Sequence, residues 1–390
     1  MSPPKTQSLA IVGGGFIGLS LGWWLGRLGW DVTVYERAPD VTRSAGYAAA
    51  GMLAAQLEQE PGEEQLAPLL SQSQRLWPAF RDALESDSGL SLDYQTGGTL
   101  MVATDANGLA RLRHDQTYLR RLGWDPEWLM AEDARTREPW LSPQTLGALF
   151  CASDHHVDPR RVLAALTKVL GPRIVYNARV MQLSPTPHGV EVIQDNGQKQ
   201  HYDRVILAQG AWAGEHPLVP DLPPLDPVKG QALSVTMPTP CLSHVVWGED
   251  VYLVPRHDNR LYIGATVEPL GFDARITAGA LYHLLKQARL VVPAILEAEV
   301  TEIIIGYRPR TLNDTPVVRP SIIPNVIMAV GHHRNGVLLA PWTCEEVGVV
   351  VSGEWRRLCS LSPLGRGLGR GAETPICLLS NKDFAEKPPP

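Results

Sequence analysis

Residues 8–36 read SLAIVGGGFIGLSLGWWLGRLGWDVTVYE. SLAIV is short, apolar and closed by three glycines, which predicts a buried strand entering a tight turn. FIGLSLGWWLGRLG has helical spacing and stops at Gly29, a residue suited to a helix C-terminus. WDVTVYER is again β-branched, so the segment reads as one βαβ unit of about thirty residues. Gly13-x-Gly15-x-x-Gly18 falls between strand and helix, and Glu36 ends the second strand. That context makes the glycines a dinucleotide-binding fingerprint. Gly13 permits the turn, Gly15 lets backbone approach a pyrophosphate, and Gly18 allows close helix–strand packing. The helix N-terminus holds the anion, and Glu36 accepts from a ribose hydroxyl, which a 2′-phosphate would oppose.

With 390 residues the chain is long for one core, so two lobes are expected. A net charge of -6 and the lack of a basic run argue against nucleic acid as a partner. Five widely spaced cysteines give neither a disulfide framework nor a zinc spacing. MSPPKTQ leads straight into the first strand without a leader-like apolar stretch, and no run reaches about 18 apolar residues. A cytoplasmic protein without a membrane partner or metal is expected.

Further along, 62–85 reads as helix interrupted by Pro68 and Pro78, LDYQTGGTLMVAT as a hairpin or strand pair, and 107–122 as helix. DHHVDPRRVLAALTKVL reads as a turn into a helix with Asp158 as N-cap and Pro159 at its first position. Residues 173–210 are strands with an Asn-Gly turn, 228–310 mostly strands around one helix, and VLLAPWTCEEVGVVVSG a helix after the strand NVIMAV. The segment 361–390 has no hydrophobic periodicity and is expected to be a flexible tail. His155 and His156 are adjacent, which favours a polar turn over a pair of metal ligands.

Two features bear on which dinucleotide binds. SAGYAAAGMLA (44–54) places small residues just past Glu36, where chain can lie against an extended second cofactor half. YDRVILAQGAWA (202–213) is a strand ending at Gly210 that can return to the first sheet. A nicotinamide enzyme would instead continue its βαβ pattern.

IVGGGFIG, AAAGMLA, PVKGQ, YLVPR, NRLYIGAT, GYRPRT and GHHRNGVLLAP together span roughly residues 8–345. With these motifs the chain resembles the FAD-dependent amine and D-amino-acid oxidases, and within them the glycine-oxidase branch associated with thiamine biosynthesis. The resemblance implies an α/β, two-lobed fold. A discontinuous Rossmann-like FAD domain (1–80, 148–225, 312–360) would join a substrate domain on a mainly antiparallel sheet (81–147, 226–311). It implies non-covalent FAD lined by Phe16, Ile17, Glu36, Arg37, Ala45, Gly46, Ala50, Gly51 and Met52. Val180 would lie at the adenine, Gly210 after the returning strand, and His332, His333, Arg334, Asn335, Gly336, Val337 and Leu338 along the flavin ring. The cysteine that related sarcosine oxidases use for covalent attachment has no counterpart in RTLNDTPVV.

The resemblance also implies oxidation of glycine and other small amines or D-amino acids by hydride transfer to flavin. An imine, then a 2-oxo acid and ammonia, would follow, with H2O2 from O2. A role in thiazole synthesis and a homo-oligomer, a tetramer in the family, are implied as well. A buried substrate carboxylate needs a cation, and the fork of arginine suits it. The family motif gives this role to Arg308; by itself the residue reads first as a structural arginine paired to a core carboxylate. Tyr252 matches a substrate-facing tyrosine or is an ordinary strand aromatic. Arg334 matches an arginine near the substrate entrance or is a solvated loop residue, and Met52 lies in the matching small-residue segment. The cofactor supplies the reactivity, so no general base is expected. Asp250, Val267, Arg310 and Gln209 depart from the family pattern, which leaves the preferred substrate open. A dehydrogenase passing electrons to another acceptor and a non-catalytic flavin-binding protein are the competing readings.

Overall fold

A computed structural model describes residues 6–239 and 242–352. The tail 361–390 and Cys241, Cys359 and Cys377 lie outside the described residues. The chain is mixed α/β. Strand β1 (Ser8–Val12), helix α1 (Phe16–Arg27) and strand β2 (Asp31–Tyr35) form the expected βαβ unit. β1 pairs in parallel with β2 and with Arg204–Leu207. The six-stranded sheet runs Val317–Pro320, Val326–Val330, Arg204–Leu207, β1, β2, Ile174–Val175, with only Val317–Pro320 antiparallel. Three distant parts of the chain therefore build one sheet.

Alternation along these strands feeds two cores. Leu9, Ile11, Val32, Val34, Ile206 and Ile327 face a helical layer that contains Leu19, Trp77, Leu163 and Val347. Ala10, Val12, Tyr35, Leu207 and Met328 face a three-stranded antiparallel sheet (Val180–Thr186, Gly189–Gln194, Lys199–Tyr202). Burial on both faces explains why the parallel strands read as continuous apolar runs.

A second sheet of eight strands runs Glu299–Arg310, Asp226–Thr236, Arg260–Gly264, Tyr252–Pro255, Val245–Trp247, Thr99–Ala103, Gly147–Cys151, Glu127–Met130. All its pairs are antiparallel except Val245–Trp247 with Thr99–Ala103. The expected boundary between 147 and 148 cuts the strand Gly147–Cys151, which lies wholly in this sheet. The boundary at 80/81 falls inside helix α2 (Ala67–Ser88).

Three local expectations are corrected. LDYQTGGTLMVAT is not a hairpin: only Thr99–Ala103 is a strand, and its partners are distant. Pro68 starts α2, and Pro78 sits inside it without ending it. Leu69, Leu70, Trp77, Phe80 and Leu84 are all buried along the helix, and this offsets the roughly 3 kcal/mol that an interior proline costs. His155–His156 is a short strand against Met52–Leu53 rather than a turn. His156 is buried, and desolvation drives its pKa down to about 3.

Asp158 caps the helix Pro159–Leu170 as expected, accepting from the Arg160 N–H at 2.9 Å. Asp158→Ala is expected to lower stability by about 1 kcal/mol, read as a lower urea midpoint at unchanged slope.

Candidate active site

One cavity of about 1590 Å³ runs from the β1–α1 turn to the face of the eight-stranded sheet. This exceeds the roughly 300–1,000 Å³ of common small-molecule pockets and leaves space for an extended ligand. It opens at the carboxyl ends of β1 and β2, where parallel sheets bind ligands.

The dinucleotide end is shaped by backbone. Gly13 has φ 112°, and a Cβ there would lie 2.4 Å from the Ala208 carbonyl oxygen. A Cβ on Gly18 would lie 1.8 Å from the Gly13 oxygen, so Gly18 serves packing and does not line the cavity. Gly15 is the N-cap of α1 and makes no side-chain cap bond. The helix thus presents free N–H groups beside the cavity, a cradle for a phosphate. The Glu36 carboxylate accepts from the backbone N–H of Gly14 at 2.7 Å and of Ala38 at 2.8 Å. Each oxygen keeps a further lone pair for a ribose hydroxyl. Arg37 stacks on Trp212 with its guanidinium carbon 4.5 Å from the ring centroid.

The small-residue segment is clamped between the two sheets. The Arg160 side chain donates to the Tyr47 carbonyl at 3.0 Å and is bidentate to Glu302 at 2.8 and 2.9 Å. Tyr262 donates to the Ala48 carbonyl at 2.7 Å, and Arg256 donates to that of Ala50. Ala45, Gly46, Ala50, Gly51 and Met52 line the cavity as a result, together with Phe16, Ile17, Val180 and Gly210.

The turn after Val326–Val330 contributes His332 to Leu338. Gly331 has φ 78°, and a short 3-10 turn over His333–Asn335 follows. His332 is buried, and its Nε2 meets the Thr343 hydroxyl at 2.9 Å. Burial pushes the His332 pKa down to about 3, and the same cause, aided by Arg334, Arg308 and Arg310, lowers His333 to about 3. Both rings are therefore neutral near pH 7. Among the described residues no cluster of histidine, cysteine, aspartate or glutamate is placed to hold a metal.

At the far end, Arg308 and Gly306 lie on one face of the strand Glu299–Arg310. Arg308 reaches over Gly230, where a Cβ would lie 2.7 Å from its Nη1. It donates to the Thr266 carbonyl at 3.1 Å, and among the described residues no carboxylate forms an ion pair with it. Thr266 is itself held: its hydroxyl donates to Glu268 at 2.5 Å and accepts from the Gln231 N–H at 2.8 Å. Buried Lys229 lies 3.5 Å from Glu268 and 3.4 Å from Asp273. Burial alone would raise the Glu268 pKa, but hydrogen bonds from Thr266 and Gln231 and the Lys229 ammonium pull it below its usual value. Tyr252 stacks on Tyr262 at 6.1 Å, and desolvation raises its hydroxyl pKa against the opposing pull of Arg308.

Arg334 lines the cavity but is not an uncommitted cation. Its guanidinium pairs with Glu63 at 2.5 Å, lies 3.8 Å from Glu60, and donates to the Glu58 carbonyl at 3.2 Å. Its positive charge is thus matched within the protein, and it is not a solvated loop residue. Glu58 and Glu63 are site residues that the linear sequence did not point to. They lie on an irregular segment, and only the turn carrying Arg334 brings them to the cavity.

The cavity wall also carries buried polar atoms without a hydrogen-bond partner among the described residues: both amide atoms of Gln59, Gln209 Oε1, Trp247 Nε1 and His333 Nε2. Buried polar groups are normally bonded, so these atoms, the uncapped helix and the glycine cradle fit a large polar cofactor.

The family model of FAD dependent oxidoreductases (DAO) matches residues 8–348. Glycine oxidase of Geobacillus kaustophilus is 33% identical over 343 residues, covering 86% of this chain and 90% of that protein. Its crystal structure superposes with a TM-score of 0.81, covering 89% of this chain and 95% of that one at 32% identity. The bifunctional protein ThiO/ThiG of Trichormus variabilis is 34% identical over 349 residues; the chain spans 51% of that longer protein. From the glycine cradle at Gly13 to the last turn of the cavity, the chain belongs to the DAO family of FAD-dependent oxidoreductases.

Proposed function

We propose that this enzyme oxidises glycine and other small primary or secondary amino acids, with O2 as electron acceptor. The observation that carries the reading is the continuity of one cavity from the α1 N-terminus to Arg308 and Tyr252. Likeness to glycine oxidase over most of both chains supports the substrate class, and likeness to a ThiO/ThiG protein supports a link to thiamine synthesis.

In this reading the β1–α1 turn and Glu36 hold the nucleotide half of FAD, and Ala45 to Met52 with His332 to Leu338 hold the flavin half. When bound, FAD supplies the hydride acceptor, and O2 regenerates it with release of H2O2. Arg308 takes the substrate carboxylate through a charge-assisted bond, and Tyr252 donates a second. Stacking on Tyr262 and the Thr266 carbonyl fix these groups, so substrate is oriented without reorganising the site. Segments 8–92, 152–225 and 312–352 form the cofactor lobe, and 93–151 with 226–311 the substrate lobe. Among the described residues no helix is long and apolar enough to cross a membrane.

The purified protein loaded with FAD is expected to show flavin absorbance that bleaches anaerobically on adding glycine, sarcosine or D-alanine and returns with air, yielding H2O2. Flavin that all three leave oxidised would overturn the reading. Bleaching without return in air would point to a different acceptor.

A further inference from the structure

We propose that buried Lys229 is a positioning residue for the substrate carboxylate: through Glu268 and Thr266 it fixes the direction of the Arg308 guanidinium. The inference rests on the functional reading above and deepens it.

The strand Asp226–Thr236 works on two faces. On the cavity face, Gly230 leaves the space that the Arg308 guanidinium fills. On the reverse face stand its neighbours Lys229 and Gln231, both fully buried. A buried ammonium is costly to keep, and an apolar side chain of the same length would pack the strand as well. The Lys229 ammonium has three acceptors, all on one short segment: Glu268 at 3.5 Å, Asp273 at 3.4 Å and the Arg275 carbonyl at 2.5 Å. Backbone bonds between Lys229 and Glu268, 2.9 Å in each direction, bring that segment against the strand. Phe272 stacks on Trp212 and Tyr307. The aliphatic residues Val267 and Leu270 are exposed, so no core sets how the Glu268 side chain lies. Lys229 does.

Glu268 passes this order to Thr266. Its Oε1 accepts from the Thr266 hydroxyl at 2.5 Å and from the Gln231 side-chain amide at 2.7 Å. The Thr266 hydroxyl in turn accepts from the Gln231 N–H at 2.8 Å. The Thr266 N–H donates to the Gln231 carbonyl at 3.0 Å. With its N–H and hydroxyl both committed, Thr266 holds its carbonyl in one direction, and Arg308 donates to that carbonyl at 3.1 Å. The bond uses one of five guanidinium donors and leaves the others for a carboxylate. Among the described residues no carboxylate forms an ion pair with Arg308, so the Thr266 carbonyl is an anchor that aims it. A long side chain anchored in advance loses less freedom when substrate arrives.

The test takes FAD-loaded wild type, Lys229→Met, Arg308→Ala and the double variant through steady-state kinetics with glycine. Acetate binding is read beside it from perturbation of the flavin spectrum, since acetate carries the carboxylate without the amine. Methionine keeps the length of lysine and removes its charge. Lys229→Met should raise KM for glycine and Kd for acetate together, by roughly 10- to 100-fold, with flavin content and kcat near wild type. In the Arg308→Ala background the same substitution should add less than about twofold, because a residue that acts through Arg308 has nothing left to aim. An unchanged KM in Lys229→Met would overturn the proposal while leaving the functional reading intact. So would a full additional loss in the double variant, or a fall in kcat or flavin content without a change in KM, since each marks a general structural role. Flavin left oxidised by glycine in wild type would overturn the functional reading and the proposal together. Should Lys229→Met fail to fold, Thr266→Val cuts the same link without disturbing the buried charge. It should raise KM in the same range and again add little to Arg308→Ala; an unchanged KM there overturns the proposal.

Discussion

Arg308→Ala is expected to raise KM for glycine by roughly 30-fold to several-thousand-fold, the equivalent of about 2–5 kcal/mol for a truncated, desolvated charge pair. The substrate carboxylate would enter a cavity where Arg334 is already matched by Glu63 and could not take over. Flavin content should stay unchanged, because Arg308 bonds to Thr266, just past the strand Arg260–Gly264, and not to the dinucleotide turn. Arg308→Lys should recover only part of the loss, since an ammonium offers no planar fork. Steady-state kinetics with glycine, beside a flavin absorbance ratio, read both quantities. An unchanged KM would remove Arg308 from the carboxylate site.

Gly13→Ala is expected to yield protein that does not retain FAD and melts well below the wild type. At φ 112° an alanine is strained whatever the space around it, a cost of about 1–2 kcal/mol. Its Cβ would also lie 2.4 Å from the Ala208 carbonyl oxygen. Neither neighbour can yield: Ala208 donates to Val12 at 2.8 Å, and Gly13 donates to Tyr35 at 2.8 Å, both in the centre of the parallel sheet. Strain and overlap together should cost on the order of 3 kcal/mol or more. Gly29→Ala isolates the backbone contribution, since Gly29 has φ 91° with nothing within 4 Å of a Cβ. That variant should lose only the dihedral cost and keep its flavin. Thermal melts and absorbance of the purified variants decide both points; a flavin-replete Gly13→Ala would show that the turn can relax.

The Rossmann-like half was legible because its signals are local. In β1, α1 and β2, apolar period, glycine spacing and the acidic strand end all fall within thirty residues, a length typical of such units. Asp158 and Pro159 marked a helix start for the same reason: a cap bonds its own next turn. LDYQTGGTLMVAT misled because its strand finds partners at Gly147–Cys151 and Val245–Trp247, and no nearby residue records that pairing. Pro68 and Pro78 misled because the burial of Trp77 and Phe80, which keeps α2 whole, is a tertiary fact.

Arg308 was found through its motif, but its isolation from any carboxylate is visible only once Gly230 opens space and Thr266 caps it. Arg334 shows the converse: its motif placed a charge near the substrate entrance, and the folded chain supplies Glu63 to neutralise it. Sequence by itself determined the parallel nucleotide-binding unit, because period and glycine spacing are written in neighbours, while the antiparallel second sheet and the cavity residues were implied by family motifs. Tertiary structure decided which charges remain unpaired in that cavity. Ion pairing depends on distances of a few ångströms between residues far apart in the chain, and nothing local encodes it.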